Sequence, residues 1–119
     1  MLDSETTTLV VVEHDQNVIK PVTYELLNAA RKLADTGKII AVYFTDAEEA
    51  DGSSLTHQGA DEVRICIHPN YHQYMHETYE AGLLSEIEKV QPDIVLIPAS
   101  ICGKEVSAAI ATRLGVALA

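Results

Sequence analysis

TLVVVEHDQNVIKPVTYELLNAARKL, residues 8–33, is the stretch whose reading decides the fold. Its first part, Thr8-Leu9-Val10-Val11-Val12-Glu13, is a continuous β-branched run of the kind found in strands buried on both faces, as parallel sheets require. Its second part opens on Pro21, which suits the first turn of a helix. Val22, Leu26, Leu27, Ala30 and Leu33 then recur at helical spacing, with Glu25, Asn28, Arg31 and Lys32 on the other side. A buried strand passing through a short loop into an amphipathic helix is the first half of a βαβ unit.

The remaining chain repeats this alternation. Gly37 stops the helix, and Ile39-Ile40-Ala41-Val42-Tyr43-Phe44 reads as a second buried strand. Residues 46–58 are interrupted by Asp51-Gly52-Ser53-Ser54 and read as a loop followed by a short helix closed by Gly59. Glu62-Val63-Arg64-Ile65-Cys66-Ile67 alternates apolar and polar, which suggests a strand at the sheet edge with one wetter face. After Pro69 and a candidate N-cap at Asn70, residues 71–90 read as the longest helix, with Met75, Tyr79, Leu83, Ile87 and Val90 as its apolar stripe. Ile94-Val95-Leu96-Ile97 is a fourth buried strand ended by Pro98, and residues 104–114 read as a last helix. The expected fold is α/β: a three-layer parallel sheet with helices on both faces and strand order 3-2-1-4. The switch point then lies between the first and fourth strands, where ligands of such sheets bind at the carboxyl ends.

Composition narrows the classes of function. Hydrophobic residues make up 47% of the 119 residues, enough for one globular domain with a core built from Val, Ile, Leu and Ala, since there is no Trp and a single Phe. A formal net charge of -10 with eight scattered Lys and Arg argues against nucleic-acid and anionic-lipid partners. Cys66 and Cys102 stand too far apart in sequence for a metal pair and are too few for a disulfide framework, which leaves two reduced thiols. The polar, acidic start is neither a signal nor a transit peptide, and no apolar run approaches the ~20 residues of a membrane span. At the other end, Arg113 to Ala119 reads as a helix terminus running into a further buried segment, as expected of the first part of a longer protein.

The switch point gathers the candidate site residues Glu13, His14, Ser100, Gly103 and Lys104. The loop from Glu13 to Asn17 lacks the glycines that bring a backbone close to a pyrophosphate, and no P-loop lysine motif is present. Lys104 and Glu105 open a helix whose amides favour an anion or a partner contact, although a solvated charge pair is the better account of them. Cys102 beside His14, or Ser100 with His14, could be drawn as a nucleophile and base, but the nucleophile-elbow glycines are missing. His72 and His76 have ligand spacing on a helix, with His68 before them. Without a third ligand they read as solvated histidines, and no metal site is expected.

Five segments together resemble the N-terminal domain of the electron transfer flavoprotein α subunit, from Thr8 to Ala119. Leu9 to His14 resembles that family's opening strand and Glu-His turn, and Lys20 to Leu33 its first helix. Gly59-Ala60-Asp61-Glu62-Val63 is similar to its Gly-Ala-Asp step into the third strand. Pro92 to Ser100 followed by Gly103-Lys104-Glu105 is similar to its fourth strand and Gly-Arg-Asp turn, and Ala111 to Gly115 to its helix end. Lys104 and Glu105 replace the usual Arg and Asp, which keeps the charge pattern but not a bidentate arginine contact.

The resemblance implies an adenine-nucleotide α-hydrolase-like (Rossmann-like) fold in one domain, residues 1–119, with the FAD-binding C-terminal domain outside this chain. It implies an electron carrier rather than an enzyme: a scaffold domain packed against a β subunit that often carries AMP. Electrons would pass from acyl-CoA or other dehydrogenases of fatty acid oxidation, through FAD, to a quinone reductase. The implied compartment is a bacterial or archaeal cytoplasm, or the mitochondrial matrix in a eukaryote. A stand-alone adenine-nucleotide-binding domain of the universal stress type is the alternative on the same sheet, weakened by the missing glycine-rich loop.

Overall fold

The computed structural model describes residues 6–33, 36–69, 76–98 and 117–118, giving only the backbone for 76–80 and 117–118. Strand β1 (Thr7–Val11) leads into a two-stranded hairpin, β2 (His14–Asp15) and β3 (Val18–Ile19), and then helix α1 (Pro21–Leu33). Strand β4 (Lys38–Thr45), the short helix α2 (Ser53–His57), strand β5 (Glu62–Ile67), helix α3 (His76–Val90), strand β6 (Ile94–Leu96) and strand β7 (Ala117–Leu118) follow.

The main sheet has the order β5-β4-β1-β6-β7, and all of its pairings are parallel. The expected order 3-2-1-4 is therefore observed, with β7 added beside β6 where a further segment was anticipated. The expected helix at 104–114, the Asn70 cap and the first turn of the helix expected from residue 71 lie outside the described residues.

Alternation along the central strands builds three layers. Leu9 and Val11 of β1, Val42 and Phe44 of β4, and Val95 meet Leu83 and Ile87 of α3 on one face. Val10, Val12, Ala41, Tyr43 and Leu96 meet Leu27 and Ala30 of α1 and Leu55 of α2 on the other. Because successive side chains of a strand point to opposite faces, only a continuous apolar run can serve both layers. Two expectations shift. Leu33 was placed in the apolar stripe of α1 but is exposed, since it lies in the helix's last turn. On β5, the apolar side is the wetter one: Ile65 and Ile67 are 38% and 46% exposed. Helix α2 has only five residues and covers just the start of that face, where Val63 packs against the core. The polar alternates instead turn toward α3, where Cys66 packs against the core and Arg64 pairs with Glu86.

At the amino end of the sheet one device occurs twice. Asp61 lies just before β5; its N–H donates to the Ile39 carbonyl (2.8 Å) and its carboxylate accepts the Ile39 N–H (2.7 Å). Asp93 just before β6 does the same to Thr7 of β1, at 2.8 Å for both bonds. Each aspartate thus closes the first backbone pair of its neighbouring strand, where the ladder would otherwise leave donors open. Arg31, from the last turn of α1, ties this end together by donating to the carbonyls of Gly37 and Gly59 and to the Asp61 carboxylate. Gly59 has φ of +121°, a conformation that favours glycine, so the Gly-Ala-Asp step positions the clamp.

Ile39 is fully buried whereas Thr7 is only partly so. Asp61→Ala therefore leaves a dry amide without an acceptor and lowers stability by about 1–3 kcal/mol. Asp93→Ala costs less, because water can replace the carboxylate at Thr7; urea unfolding of the two variants checks this order. The Glu86 carboxyl gives a second test. Its burial works against ionisation, but the hydrogen bond and charge of Arg64, with Lys89 beyond, outweigh that and hold it below its ordinary range. A depressed carboxylate stabilises the fold above its unfolded-state pKa and loses that contribution as pH falls through the folded value. Glu86→Gln thus flattens the loss of stability below about pH 4, read from urea midpoints across pH.

Candidate functional site

The carboxyl end of β1 is filled by its own chain. Beyond Val11 the strand direction continues through Val12, whose N–H still donates to the Val42 carbonyl (2.9 Å). The segment read from sequence as a plain loop, residues 13–20, folds back as a hairpin with His14 opposite Ile19 and Asp15 opposite Val18. Gln16 and Asn17 make its turn with φ of 50° and 67°. Two successive positive φ values match the hairpin turn whose twist suits flanking strands, a position that Asn tolerates better than most residues.

Asn17 also locks the hairpin to β4. Its Oδ1 accepts hydrogen bonds from the Tyr43 hydroxyl and the Thr45 hydroxyl, both at 2.7 Å. Burial pushes the Tyr43 phenol up, and the charge of Asp51 adds to this, so the hydroxyl stays a donor. His14 completes the lock. The Asn17 N–H donates to its Nδ1 (3.1 Å), which fixes the proton on Nε2, and Nε2 donates to the Phe44 carbonyl (2.7 Å). The imidazole also lies against the Tyr43 ring, with centroids 4.8 Å apart. Both nitrogens of His14 are engaged by backbone, so neither is open to serve as a base for a nucleophile.

Glu13 is held with equal completeness. The Thr23 hydroxyl accepts the Glu13 N–H (2.9 Å) and donates to the Glu13 carbonyl (3.1 Å). Thr23 is fully buried, on the same face of α1 as Leu27 and Ala30. The Glu13 carbonyl also accepts the Lys20 N–H (2.9 Å), and the Glu13 carboxylate pairs with the Lys20 ammonium at 3.3 Å. The first turn of α1 has few amides to offer a phosphate: Pro21 has none, and the Thr23 N–H donates to the Lys20 carbonyl. In a dinucleotide site those amides point at the ligand.

Of the sequence candidates, Glu13 and His14 are thus brought together, as parts of the loop's own closure. Ser100, Gly103 and Lys104 lie outside the described residues, as do Cys102 and His72. Of His76 only the backbone is described. His68 follows β5, with its N–H on the Thr45 carbonyl. Among the described residues no group of three or more His, Cys, Asp or Glu could hold a metal ion. Burial pushes the Cys66 thiol up to about 11, with the Glu86 carboxylate adding to it. Sequence reasoning missed Asn17, Thr23, Tyr43 and Thr45. The signals available were an Asn at the second position of a two-residue turn and a threonine in line with Leu27 and Ala30 on the apolar face of the helix.

Comparison with known proteins fits this framework. The family model described as Electron transfer flavoprotein domain matches residues 8–119. Protein FixB of Azotobacter vinelandii is 30% identical over 115 residues, covering 92% of this chain and 32% of that protein. The electron transfer flavoprotein subunit alpha of Bacillus subtilis is 28% identical over 106 residues, covering 89% and 33%. The acryloyl-CoA reductase electron transfer subunit beta of Anaerotignum propionicum is 30% identical over 93 residues, covering 76% and 25%. This parallel α/β chain belongs to the electron transfer flavoprotein family. The chain corresponds to about a third or less of the length of these relatives.

Asn17→Gly keeps the backbone turn but leaves the Tyr43 and Thr45 hydroxyls without their acceptor, lowering stability by about 1–3 kcal/mol. Asn17→Ala adds a further loss of about 1–2 kcal/mol, because a Cβ is placed at positive φ. Denaturant unfolding of the pair separates the side-chain contribution from the backbone one.

Proposed function

We propose that this chain is the N-terminal domain of an electron transfer flavoprotein α subunit, holding no flavin itself. It packs with a β subunit and supports a separate C-terminal domain that binds FAD, while AMP, where present, belongs to the β subunit. Electrons then run from acyl-CoA or other dehydrogenases through that flavin to a quinone reductase, and this domain carries out no chemical step. The family match across residues 8–119, over only part of each relative's length, carries the reading. Two features support the scaffold role in particular. The loop where a nucleotide phosphate would sit is closed by His14, Asn17 and Thr23. The Lys20 ammonium of that loop is paired with the Glu13 carboxylate, which neutralises the charge that a phosphate would need.

No helix among the described residues is long and apolar enough to cross a membrane. In this reading Glu13 and His14 belong to the closure of the loop at the switch point rather than to a cofactor pocket.

The decisive experiment is isolation of the endogenous protein with its native mass, chain composition and bound small molecules. A longer chain bearing this sequence, with a second subunit and one FAD, is the expected result. A free 119-residue chain without flavin overturns the assignment. Calorimetry of the isolated domain with AMP and ATP then separates the remaining possibilities. No measurable heat is expected, whereas micromolar binding would favour a stand-alone nucleotide-binding domain of the universal stress type.

A further inference from the structure

We propose that β5 is a self-complementary sheet edge through which two copies of this chain pair antiparallel, with Ile65 on the two-fold axis. Among the described residues, strand β5 is bonded to β4 alone, on one side. Thr45 pairs with Ile67 and its carbonyl accepts the His68 N–H, so by the alternation of a parallel ladder the N–H and C=O groups of Glu62, Arg64 and Cys66 face β4. Those of Val63, Ile65 and Ile67 then point outward. Open space of about 590 Å³ runs along the strand from Glu62 to His68, bordered by Glu86 and Lys89 of α3. Ile65 and Ile67, 38% and 46% exposed, line the same edge.

The order of residues along β5 selects a second copy as the occupant. Residues opposite one another in an antiparallel pair share a face, so an even-numbered residue of one copy must face an even-numbered residue of the other. Centring the pair on Arg64 sets two guanidinium groups against each other, and centring it on Cys66 sets Arg64 against His68. Centring it on Ile65 places Ile65 against Ile65, Val63 against Ile67, and Arg64 against Cys66, and it directs Glu62 of each copy toward His68 of the other. That register joins the outward backbone groups of Ile65 with Ile65, and of Val63 with Ile67, in hydrogen-bonded pairs and puts no like charges in opposition. An unprotected edge of this kind is a template for another strand. One strand per copy makes a small interface, so the dimer is weak and concentration-dependent. Each copy carries a net charge of -10, so added salt strengthens the association.

Sedimentation equilibrium from micromolar to millimolar chain, at low and high sodium chloride, tests the pairing together with amide hydrogen exchange. The expected result is a dimer favoured by salt, weakened at least about tenfold by Ile65→Lys. The Val63 and Ile65 amides gain protection with concentration, while those of Arg64 and Cys66, already bonded to β4, do not change. A monomer throughout, or a dimer indifferent to Ile65→Lys, overturns the proposal. Protection of Val63 and Ile65 that is independent of concentration also overturns it, since another part of the same chain would then cover the edge. A monomer whose edge is protected only by a second type of subunit assigns the surface to that subunit instead. None of these outcomes depends on whether the chain belongs to an α subunit.

Discussion

Strand β1 is paired on both edges and dry on both faces along its length, so the chain itself must close the polar groups where the ladder stops. Much of the molecule answers that constraint. At the amino end, Asp93 supplies both a donor and an acceptor to Thr7. At the carboxyl end, the Thr23 hydroxyl performs the same double duty for Glu13. Short polar side chains are used in both places because they reach a neighbouring backbone without filling the space that the helices occupy. Asp61 extends the scheme to β4, and Arg31 joins that clamp to the end of α1.

This way of closing the sheet has a functional cost. Parallel α/β sheets bind ligands where backbone amides at the carboxyl ends are left unused. Here the hairpin of β2 and β3 consumes the amides of Asn17 and Lys20, and both nitrogens of His14 are spent on backbone partners. The architecture of a nucleotide-binding fold is retained while this half of its usual pocket is occupied by the chain's own turn. Under the function proposed above, such a domain serves as a support and the redox chemistry lies in other parts of the protein.

The sheet and its order were legible because the strands are continuous apolar runs between helical periodicities, and only one arrangement buries them on both faces. The short helix before Gly59 was legible from turn residues alone. What escaped was the polar scaffolding. Asn17 is an ordinary loop residue in sequence, and its role depends on Tyr43 and Thr45, more than 25 residues away. The exposure of Ile65 and Ile67 was hidden for a related reason. Alternation tells that two faces differ, but which one is wet depends on how far a neighbouring helix reaches, and α2 is too short to reach them.

The pairing of Thr7 with Asp93 spans 86 positions, and this separation bears on how the chain is made. During synthesis β1 and β4 can join as soon as both have left the ribosome, but the other edge of β1 waits for residues 94–96. Until then the nascent chain carries an apolar strand with one open side, the kind of surface that chaperones shield and that associates wrongly when left bare. The clamp at Asp93 is therefore a late event, and the half-made sheet depends on its surroundings until it closes.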